Sequence, residues 1–241
     1  MKKFLFAAIL AVATLLISGC GTTAKFVYPA KMESLVRLNT SSIYQKNVAV
    51  LPFEDFRNSL NLSSTLLLSY VPLWPYGWLE YDRPDAARMF LTINEFQFTP
   101  SEDLSKAAAV SLRRSNLFKD VYFSFGGDTE NADFVLTGEL NGTKYKGYMI
   151  TYGLSSFGSF LWLFGAPCGF SDNQLSLVLV LKQKDKIIWE YTFDRSREIW
   201  QWYYYRFGHD GLGYAELMQE CMNEAIIDLA KHLAENPELF E

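Results

Sequence analysis

Leu175-Ser-Leu-Val-Leu-Val-Leu-Lys182 is the stretch that decides the fold, because leucine recurs at every second position. A period of two places successive side chains on opposite faces of a β-strand, so the pattern predicts a strand with one buried face. A short turn, Lys184-Asp-Lys186, follows. Trp189, Tyr191 and Phe193 then alternate in the same way, which predicts a second strand and therefore a β-hairpin.

Another strand and a helix are predicted before this hairpin. Residues 48–51 form a continuous apolar run that stops at Pro52, which is typical of a strand covered on both faces. Thr99-Pro-Ser-Glu102 has the residues of a helix start, with Thr as the N-cap and Pro at the first helical position. A helix is therefore predicted from this start to about Arg114.

The remaining elements complete the predicted sheet. Residues 132–140 read as a strand, and Asn141-Gly142, typical of two-residue hairpin turns, is predicted to return the chain along residues 143–151. A final helix is predicted over residues 214–233, because apolar residues recur at steps of four from Leu217 to Leu229. The predicted fold class is α/β (α+β), with a mixed sheet of about five strands and two main helices packed on it.

Two apolar, aromatic stretches interrupt these elements, and Pro or Gly breaks both of them. They are residues 66–79 and 157–170, and both are too short and too interrupted to cross a bilayer as helices. Each is either a loop packed onto the domain or an exposed contact for a protein or a membrane, and the exposure of the rings decides between these readings. If the stretches are exposed, the candidate contact residues are Trp74, Tyr76, Trp78, Phe160, Trp162 and Phe164.

The amino-terminal segment has the layout of a secretory signal peptide, with Met1-Lys-Lys3 followed by apolar residues 4–17. Leu16-Ile-Ser-Gly-Cys20 resembles a bacterial lipobox, which implies cleavage before Cys20 and acylation of its thiol and of the new amino terminus. Two or more acyl chains anchor a protein durably on a bilayer. A cleaved signal with an incidental cysteine and an uncleaved anchor are the alternatives. Gly21, in place of Asp, favours the outer over the inner membrane.

The predicted organisation has three parts: a lipoprotein signal peptide over residues 1–19, a lipidated tether and entry segment over 20–46, and a single α/β domain over 47–241. The remaining cysteines are Cys168 and Cys221. The periplasm permits a disulfide between them, but pairing requires a short Cα separation. The alternative is that Cys221 is a small buried apolar residue and Cys168 a loop residue.

A search for chemistry in the sequence returns no catalytic pattern. His209 and His232 have no Cys, His or carboxylate at metal spacing, and neither a Gly-x-Ser-x-Gly turn nor a phosphate-binding glycine pattern occurs. We therefore predict no enzyme activity, no metal and no cofactor. The formal net charge is −5, and it becomes two units more negative when Lys2 and Lys3 leave with the signal peptide. This acidic balance argues against a nucleic-acid partner.

Four segments represent the predicted strands and the end of the first predicted helix, in chain order: Val48-Ala-Val-Leu-Pro-Phe53, Leu112-Arg-Arg-Ser-Asn-Leu-Phe-Lys-Asp-Val121, Ala132-Asp-Phe-Val-Leu-Thr-Gly-Glu-Leu140 and Ile188-Trp-Glu-Tyr191. In this order they resemble the small periplasmic lipoproteins of the ABC-transport auxiliary kind. They are also similar to the Rossmann-like, anticodon-binding-like domain of the curli-secretion lipoprotein and of the Tol-system propeller protein. The resemblance covers about residues 47–57 and 99–235. It implies a three-layer α/β domain, an adaptor role in an envelope complex and no catalytic residues.

These observations predict a non-enzymatic, lipid-anchored periplasmic lipoprotein that acts as an accessory or adaptor in an envelope assembly or transport complex. Its predicted partners are the membrane, through acyl chains on Cys20, and an envelope protein. The alternative is a periplasmic protein that binds a lipid or another hydrophobic ligand in a cavity lined by the aromatic clusters. Aromatic rings that project from the fold favour the first reading, and rings that converge on a cavity favour the second.

Overall fold

A computed structural model of the chain describes residues 22–39, 43–58, 62–83, 93–184, 186–209 and 211–240. The predicted signal peptide and the predicted lipidation site, Cys20, lie outside the described residues. The strands are β1 (Thr22–Lys25), β2 (Tyr44–Val50), β3 (Glu54–Asp55), β4 (Leu62–Ser64), β5 (Tyr76–Tyr81), β6 (Ile93–Gln97), β7 (Phe118–Phe123), β8 (Phe134–Gly142), β9 (Tyr145–Ile150), β10 (Pro167–Gln183) and β11 (Lys186–Trp202). The α-helices are α1 (Pro100–Ser115), α2 (Ser159–Leu163) and α3 (Leu212–Glu235).

The predicted hairpin of β10 and β11 is confirmed, and the main sheet is built around it, because β10 also pairs with β8 and β9. The two strands are 17 residues long each and pair antiparallel along their length. The hairpin is longer than the leucine pattern alone predicts, because β10 begins at Pro167, inside the stretch predicted to be an insert. At about 3.4 Å per residue, such a strand spans more than roughly 50 Å. It can therefore pair with two different segments in succession.

The hairpin predicted at Asn141-Gly142 is wrong, because β8 and β9 do not pair with each other. Both pair antiparallel with β10, β8 with its second half and β9 with its first half, so the chain runs straight on past Gly142. The Gln174 N–H donates to the Lys144 carbonyl at 2.8 Å and continues the ladder across the gap between β8 and β9. The local turn preference of the dipeptide is overridden by the continuous partner that β10 offers.

Two side chains from other elements fasten the junction between β8 and β9. Arg57 Nη1 donates to the Thr143 hydroxyl at 2.7 Å, and Arg57 is itself held by the Asp55 carboxylate through two bonds of 2.8 Å. The Tyr214 hydroxyl donates to the Lys144 carbonyl at 2.9 Å. These contacts satisfy polar groups at the point where the strand pairing is irregular.

The main sheet is mixed, as predicted, but among the described residues it has nine strands, so the prediction of about five is wrong. Five of them run side by side in the order β7-β2-β8-β10-β11, with β2 parallel to both β7 and β8. The other four are β3, which pairs with β8, and the set β4-β5-β9, which extends the sheet along the first half of β10. The strands of this sheet that no local pattern predicted are β3, β4 and β5, and only β5 overlaps a predicted insert, residues 66–79.

The two predicted long helices are confirmed as α1 and α3, and both pack on one face of the sheet. The strand side chains that face them are the leucines of β10 at positions 175, 177, 179 and 181, which join the helices in one buried core. Over the described ranges, the opposite face carries no helix, so the domain has two layers instead of the three that the resemblance implied. None of the helices in these ranges is long and apolar enough to cross a membrane.

Residues 22–39, predicted to belong to a tether over 20–46, are packed onto the domain. Here β1 pairs in parallel with β6, and the chain then passes along α3. The Gln219 side chain donates to the Lys31 carbonyl at 2.8 Å and accepts from the Lys31 N–H at 2.9 Å. Asn223, one turn further along α3, makes the equivalent pair of bonds with the next part of the segment. Residues 22–39 are therefore part of the folded domain.

Candidate contact surface at the apolar end of the sheet

Three segments, together called the apolar end, meet beside the end of β9 and the start of β10: residues 66–76, 150–166 and 203–205. The Leu73 N–H donates to the Gly153 carbonyl at 2.8 Å, which joins the first segment to the second. The Tyr204 hydroxyl donates to the Leu163 carbonyl at 3.1 Å, which joins the second to the third. Segments that are distant in sequence therefore build one surface.

The apolar end combines exposed hydrophobic side chains with a complete lack of charge in its sequence. Residues 66–79, 147–171 and 199–205 contain no Asp, Glu, Lys or Arg. The most exposed large apolar side chains are Leu73 at 91%, Phe164 at 86%, Leu67 at 81% and Phe157 at 71%. Soluble monomers rarely expose large contiguous apolar patches, so this concentration indicates a contact surface.

Leu73 is the most exposed of these side chains, and its backbone is left-handed, with φ of 70°. This conformation costs a residue with a Cβ about 1–2 kcal/mol, and Gly or Asn adopts it most readily. A leucine here gains almost no burial within the chain to offset that cost. Burial of the side chain within the chain therefore does not explain a leucine at this position.

On the open face of the sheet, four aromatic residues stand next to one another in register and form the aromatic row: Trp78, Tyr148, Phe170 and Trp200. The pairing places Trp78 opposite Tyr148, Tyr148 opposite Phe170, and Phe170 opposite Trp200. The rings of Tyr148 and Phe170 stack at 4.3 Å, and those of Phe170 and Trp200 stack at 4.9 Å. Three of the rings therefore stack in succession, and the Lys146 ammonium lies over both the Trp78 and the Tyr148 ring, at 4.5 and 5.5 Å from their centroids.

Two residues further from the apolar end on each strand lies the charged row: Glu80, Lys146, Asp172 and Glu198. Lys146 Nζ lies 3.4 Å from the Glu80 carboxylate and 4.5 Å from the centroid of the Trp78 ring. Burial works against the charge on Lys146, but contacts with Tyr148 and Glu80 outweigh it and raise the pKa of this ammonium. The surface is therefore ordered as a charged row, an aromatic row and an apolar end.

Of the six candidate contact residues, five lie at the surface that the structure builds. Trp74, Tyr76, Phe160 and Phe164 are exposed, and Trp78 is half-buried within the aromatic row. Trp162 is 9% exposed, and its indole N–H donates to the Ile150 carbonyl at 2.9 Å. It packs in a small buried cluster, so the prediction that Trp162 contacts a partner does not hold, because α2 turns its ring inward.

Sequence reasoning missed several residues of this surface. Leu73, Phe157 and Tyr204 project from the apolar end, and Tyr148 and Phe170 lie in the aromatic row. The signal that could have found the loop residues is the lack of charge over residues 147–171, a stretch wider than the predicted insert. The row itself requires the register of four strands, which no local pattern contains.

The possible disulfide between Cys168 and Cys221 is absent, and both cysteines are buried free thiols. They lie in different clusters, Cys168 beside Trp162 and Cys221 in the main core between the helices and the sheet. Burial raises the pKa of the Cys168 thiol to about 12 and also raises the pKa of the Cys221 thiol. Both side chains therefore act as small apolar residues.

Two cavities in the described ranges lie away from the apolar end. One of about 330 Å³ lies between the entry segment and α3, where Arg197 pairs with Glu216 at 3.0 Å. A second of about 490 Å³ lies beside β1 and β6. Neither is lined by a residue of the apolar end. Within the described residues, no group of three or more His, Cys, Asp or Glu side chains is placed to hold a metal ion.

Comparison with known proteins gives a distant likeness in structure and none in sequence. No family model matches the chain, and no curated protein matches it. Among solved structures, protein XCC0632 of Xanthomonas campestris, assigned to the family DUF330, matches with a TM-score of 0.41 and 10% identity over 87% of this chain and 92% of its own.

Two further solved structures match at a similar level. A neuraminyllactose-binding hemagglutinin homolog from Helicobacter pylori gives a TM-score of 0.38 at 11% identity, covering 88% of this chain and 92% of its own. The hypothetical protein CT253 from Chlamydia trachomatis gives 0.39 at 11% identity, covering 80% of this chain and 99% of its own. Because scores and identities are low, no function is transferred from these three proteins.

Proposed function

We propose that the chain is a non-enzymatic, lipid-anchored protein of the bacterial cell envelope that acts as an accessory or adaptor in an assembly or transport complex. The observation that carries this proposal is the apolar end, where three uncharged segments project exposed leucine and aromatic side chains from a folded domain. Such a surface is typical of contact with a protein or a membrane, whereas catalysis on a small molecule requires a concave site with polar groups.

The anchor in this proposal is Cys20, at the end of a sequence that resembles a lipobox. A lipobox cysteine carries enough acyl chains to hold the domain on a membrane without a spanning helix. The resemblance to ABC-transport auxiliary lipoproteins, and to the domains of the curli-secretion and Tol-system proteins, supports an adaptor role at the periplasmic face. Gly21 after the cysteine favours the outer membrane.

The alternative function, binding of a lipid or another hydrophobic ligand in a cavity, has less support. Three rings of the aromatic row stack in succession, and the exposed rings of the apolar end project outward. Neither set lines either of the two cavities described above. The geometry therefore favours a contact surface.

The proposal is tested in intact cells with the tagged full-length chain and its Cys20→Ser variant. Metabolic labelling with palmitate, membrane fractionation and crosslinking followed by mass spectrometry are the three readouts. We expect the wild-type chain to carry label, to fractionate with the outer membrane and to crosslink to one set of envelope proteins. Cys20→Ser should lose the label and either remain an uncleaved precursor or leave the membrane. An unlabelled wild-type chain, or one that crosslinks to no envelope protein, contradicts the proposal.

A further inference from the structure

We infer that the apolar end inserts into the surface of a lipid bilayer, with the aromatic row at the level of the lipid headgroups and the charged row in water. This inference deepens the proposed function by assigning lipid as the partner of the apolar end, and its position relative to the anchor rests on that function. The observations are the order of the rows, the hydrogen bonding of the loops and the position of β1 close in sequence to Cys20.

The order of the rows matches the polarity profile of a membrane interface. Successive rows on one sheet face are two residues apart, about 7 Å along the strands. The charged row is thus about 7 Å from the aromatic row, and the apolar end lies beyond the aromatic row on the other side. Interfacial proteins bury their apolar surface about 5–10 Å deep, with Trp and Tyr at the boundary. Lys146, which extends over the Trp78 ring, has the geometry of a side chain that keeps its charge in water.

Three hydroxyl groups of the apolar end form hydrogen bonds within the chain. Ser69 donates to the Leu66 carbonyl at 2.6 Å, and Ser155 donates to the Tyr70 carbonyl at 2.5 Å. Thr151 donates to the Ser69 carbonyl at 2.9 Å. Hydrocarbon offers no hydrogen bonds, so a segment that enters it must satisfy its polar groups internally. These hydroxyls meet that requirement.

Backbone groups of the exposed loops are also satisfied locally. The N–H groups of Val71 and Trp74 donate to carbonyls three residues earlier, as do those of Phe157 and Phe164. A protein–protein interface instead carries about one hydrogen bond per 100–200 Å² between the partners, and this requires free donors and acceptors. Nine of the 15 exposed large side chains at the apolar end are Leu, Val or Phe, and the other six are Tyr or Trp, which are enriched at membrane interfaces. This combination favours lipid over a protein partner.

The first described strand, β1, lies close in sequence to the proposed anchor. Gly21 stands between Cys20 and Thr22, and a chain of two residues spans at most about 7 Å. Thr22 begins β1, which pairs with β6, and the Phe96 ring of β6 lies against Gly211 in the segment that joins the apolar end to α3. Acyl chains on Cys20 thus hold the start of β1 close to the membrane surface.

The test uses the mature chain, residues 20–241, carrying Cys20→Ser, so that binding through acyl chains is removed. The domain contacts described above lie among residues 22–240, and this chain contains all of those residues. The probes are phosphatidylcholine vesicles, with and without phosphatidylglycerol, in a sedimentation assay. A second readout is quenching of tryptophan fluorescence by brominated phosphatidylcholine, compared between this chain and Trp74→Phe.

The test variant combines Leu73→Asn, Phe157→Ser and Phe164→Ser, which change three exposed side chains of the apolar end. The matched control combines Phe125→Ser, Ile187→Ser and Ile227→Ser, which change three exposed apolar side chains elsewhere. We expect the parent chain and the control to bind phosphatidylcholine equally, and the test variant to bind at least about a hundredfold less tightly, because each buried Leu or Phe contributes about tenfold or more.

Binding should not depend on salt between about 0.1 and 1 M, because the apolar end carries no charge. Brominated lipid should quench the parent chain more than Trp74→Phe. A parent chain that does not sediment with either vesicle overturns the inference, and so does a test variant that binds as well as the control. A photocrosslinker at Phe164 that captures a protein in cells also overturns it. In each case palmitate labelling and fractionation of the full chain still test the proposed function separately.

Discussion

Lys146 Nζ lies 4.5 Å from the centroid of the Trp78 indole ring, so one contact connects the charged row to the aromatic row. The same ammonium group lies 3.4 Å from the Glu80 carboxylate and 5.5 Å from the Tyr148 ring. On each strand, the charged side chain and the aromatic side chain are therefore only two residues apart, with no other side chain of this face between them. This sharpness distinguishes the surface from a sheet face on which polar and apolar residues alternate.

Lys146→Met is expected to lower the free energy of unfolding by about 0.5–1 kcal/mol, because a cation–π contact and a partly exposed ion pair are each small terms. Lys144→Met, a change of the same kind at an exposed neighbouring position, should have almost no effect. Urea denaturation followed by far-ultraviolet circular dichroism measures both. Equal losses in the two variants would show that the contact over Trp78 contributes nothing.

Trp162 and Phe164 should respond in opposite ways to truncation, although they are two residues apart. Trp162→Ala removes a buried ring and its hydrogen bond to Ile150, and we expect a loss of about 3–5 kcal/mol. Phe164→Ala removes an exposed ring and should change the free energy of unfolding by less than about 0.5 kcal/mol. Urea denaturation is the measurement, and similar losses would mean that the 150–166 segment packs differently.

Local patterns predicted the long elements of this fold well. The alternating leucines predicted β10, and the apolar stripe from Leu217 predicted α3, because each pattern repeats over many residues. The prediction of a hairpin at Asn141-Gly142 was wrong because it used the turn preference of only two residues. In the structure, β8 and β9 both pair with β10, whose 17 residues offer a partner to each of them. The packing of the entry segment also depends on contacts with α3 that are distant in sequence.

The candidate site was predicted only in part, because the orientation of a ring and the register of strands depend on contacts that are distant in sequence. The apolar composition of residues 66–79 and 157–170 located two of its segments, but composition does not tell an inward ring from an outward one. Trp162 turns inward because α2 is a single short helix that lays one side against the sheet. The aromatic row exists only once four strands are in register, so sequence reasoning could not find it.

Asp55→Asn is expected to destabilise the domain at neutral pH by about 1–3 kcal/mol, because it weakens the bonds that hold the buried Arg57 at the β8–β9 junction. Hydrogen bonds from the Arg57 side chain hold the pKa of the Asp55 carboxyl below its usual value. A lowered carboxyl pKa contributes stability that is present above about pH 4 and is lost as the pH falls through the folded-state pKa.

The difference in unfolding free energy between wild type and Asp55→Asn should therefore be constant from neutral pH down to about pH 5 and shrink below about pH 4. Urea titrations at a series of pH values measure it. Glu54→Gln, a change in the exposed adjacent residue of β3, is the control and should leave the free energy of unfolding at neutral pH almost unchanged. A difference that grows on acidification would contradict this role for Asp55.

Cys168 and Cys221 should be unreactive thiols in the folded protein. Burial keeps both sulfur atoms from reagents, and because it raises both pKa values, little thiolate is present at neutral pH. With the mature Cys20→Ser chain and Ellman's reagent, we expect no reaction in buffer and reaction of both thiols in urea without reductant. A chain that reacts in urea only after reduction would instead contain the disulfide that the structure lacks.

Leu73→Asn should leave the folded domain as stable as the wild type or more stable by up to about 1 kcal/mol. Asn adopts the left-handed backbone at lower cost, and the leucine gives up almost no burial because it is 91% exposed. Leu67→Asn is the matched control, since Leu67 is exposed on the same surface but has no left-handed backbone, and it should bring no gain. Thermal unfolding of the three chains measures this. If Leu73→Asn unfolds at a clearly lower temperature than Leu67→Asn, then Leu73 supports the fold and is not kept for a contact outside the chain.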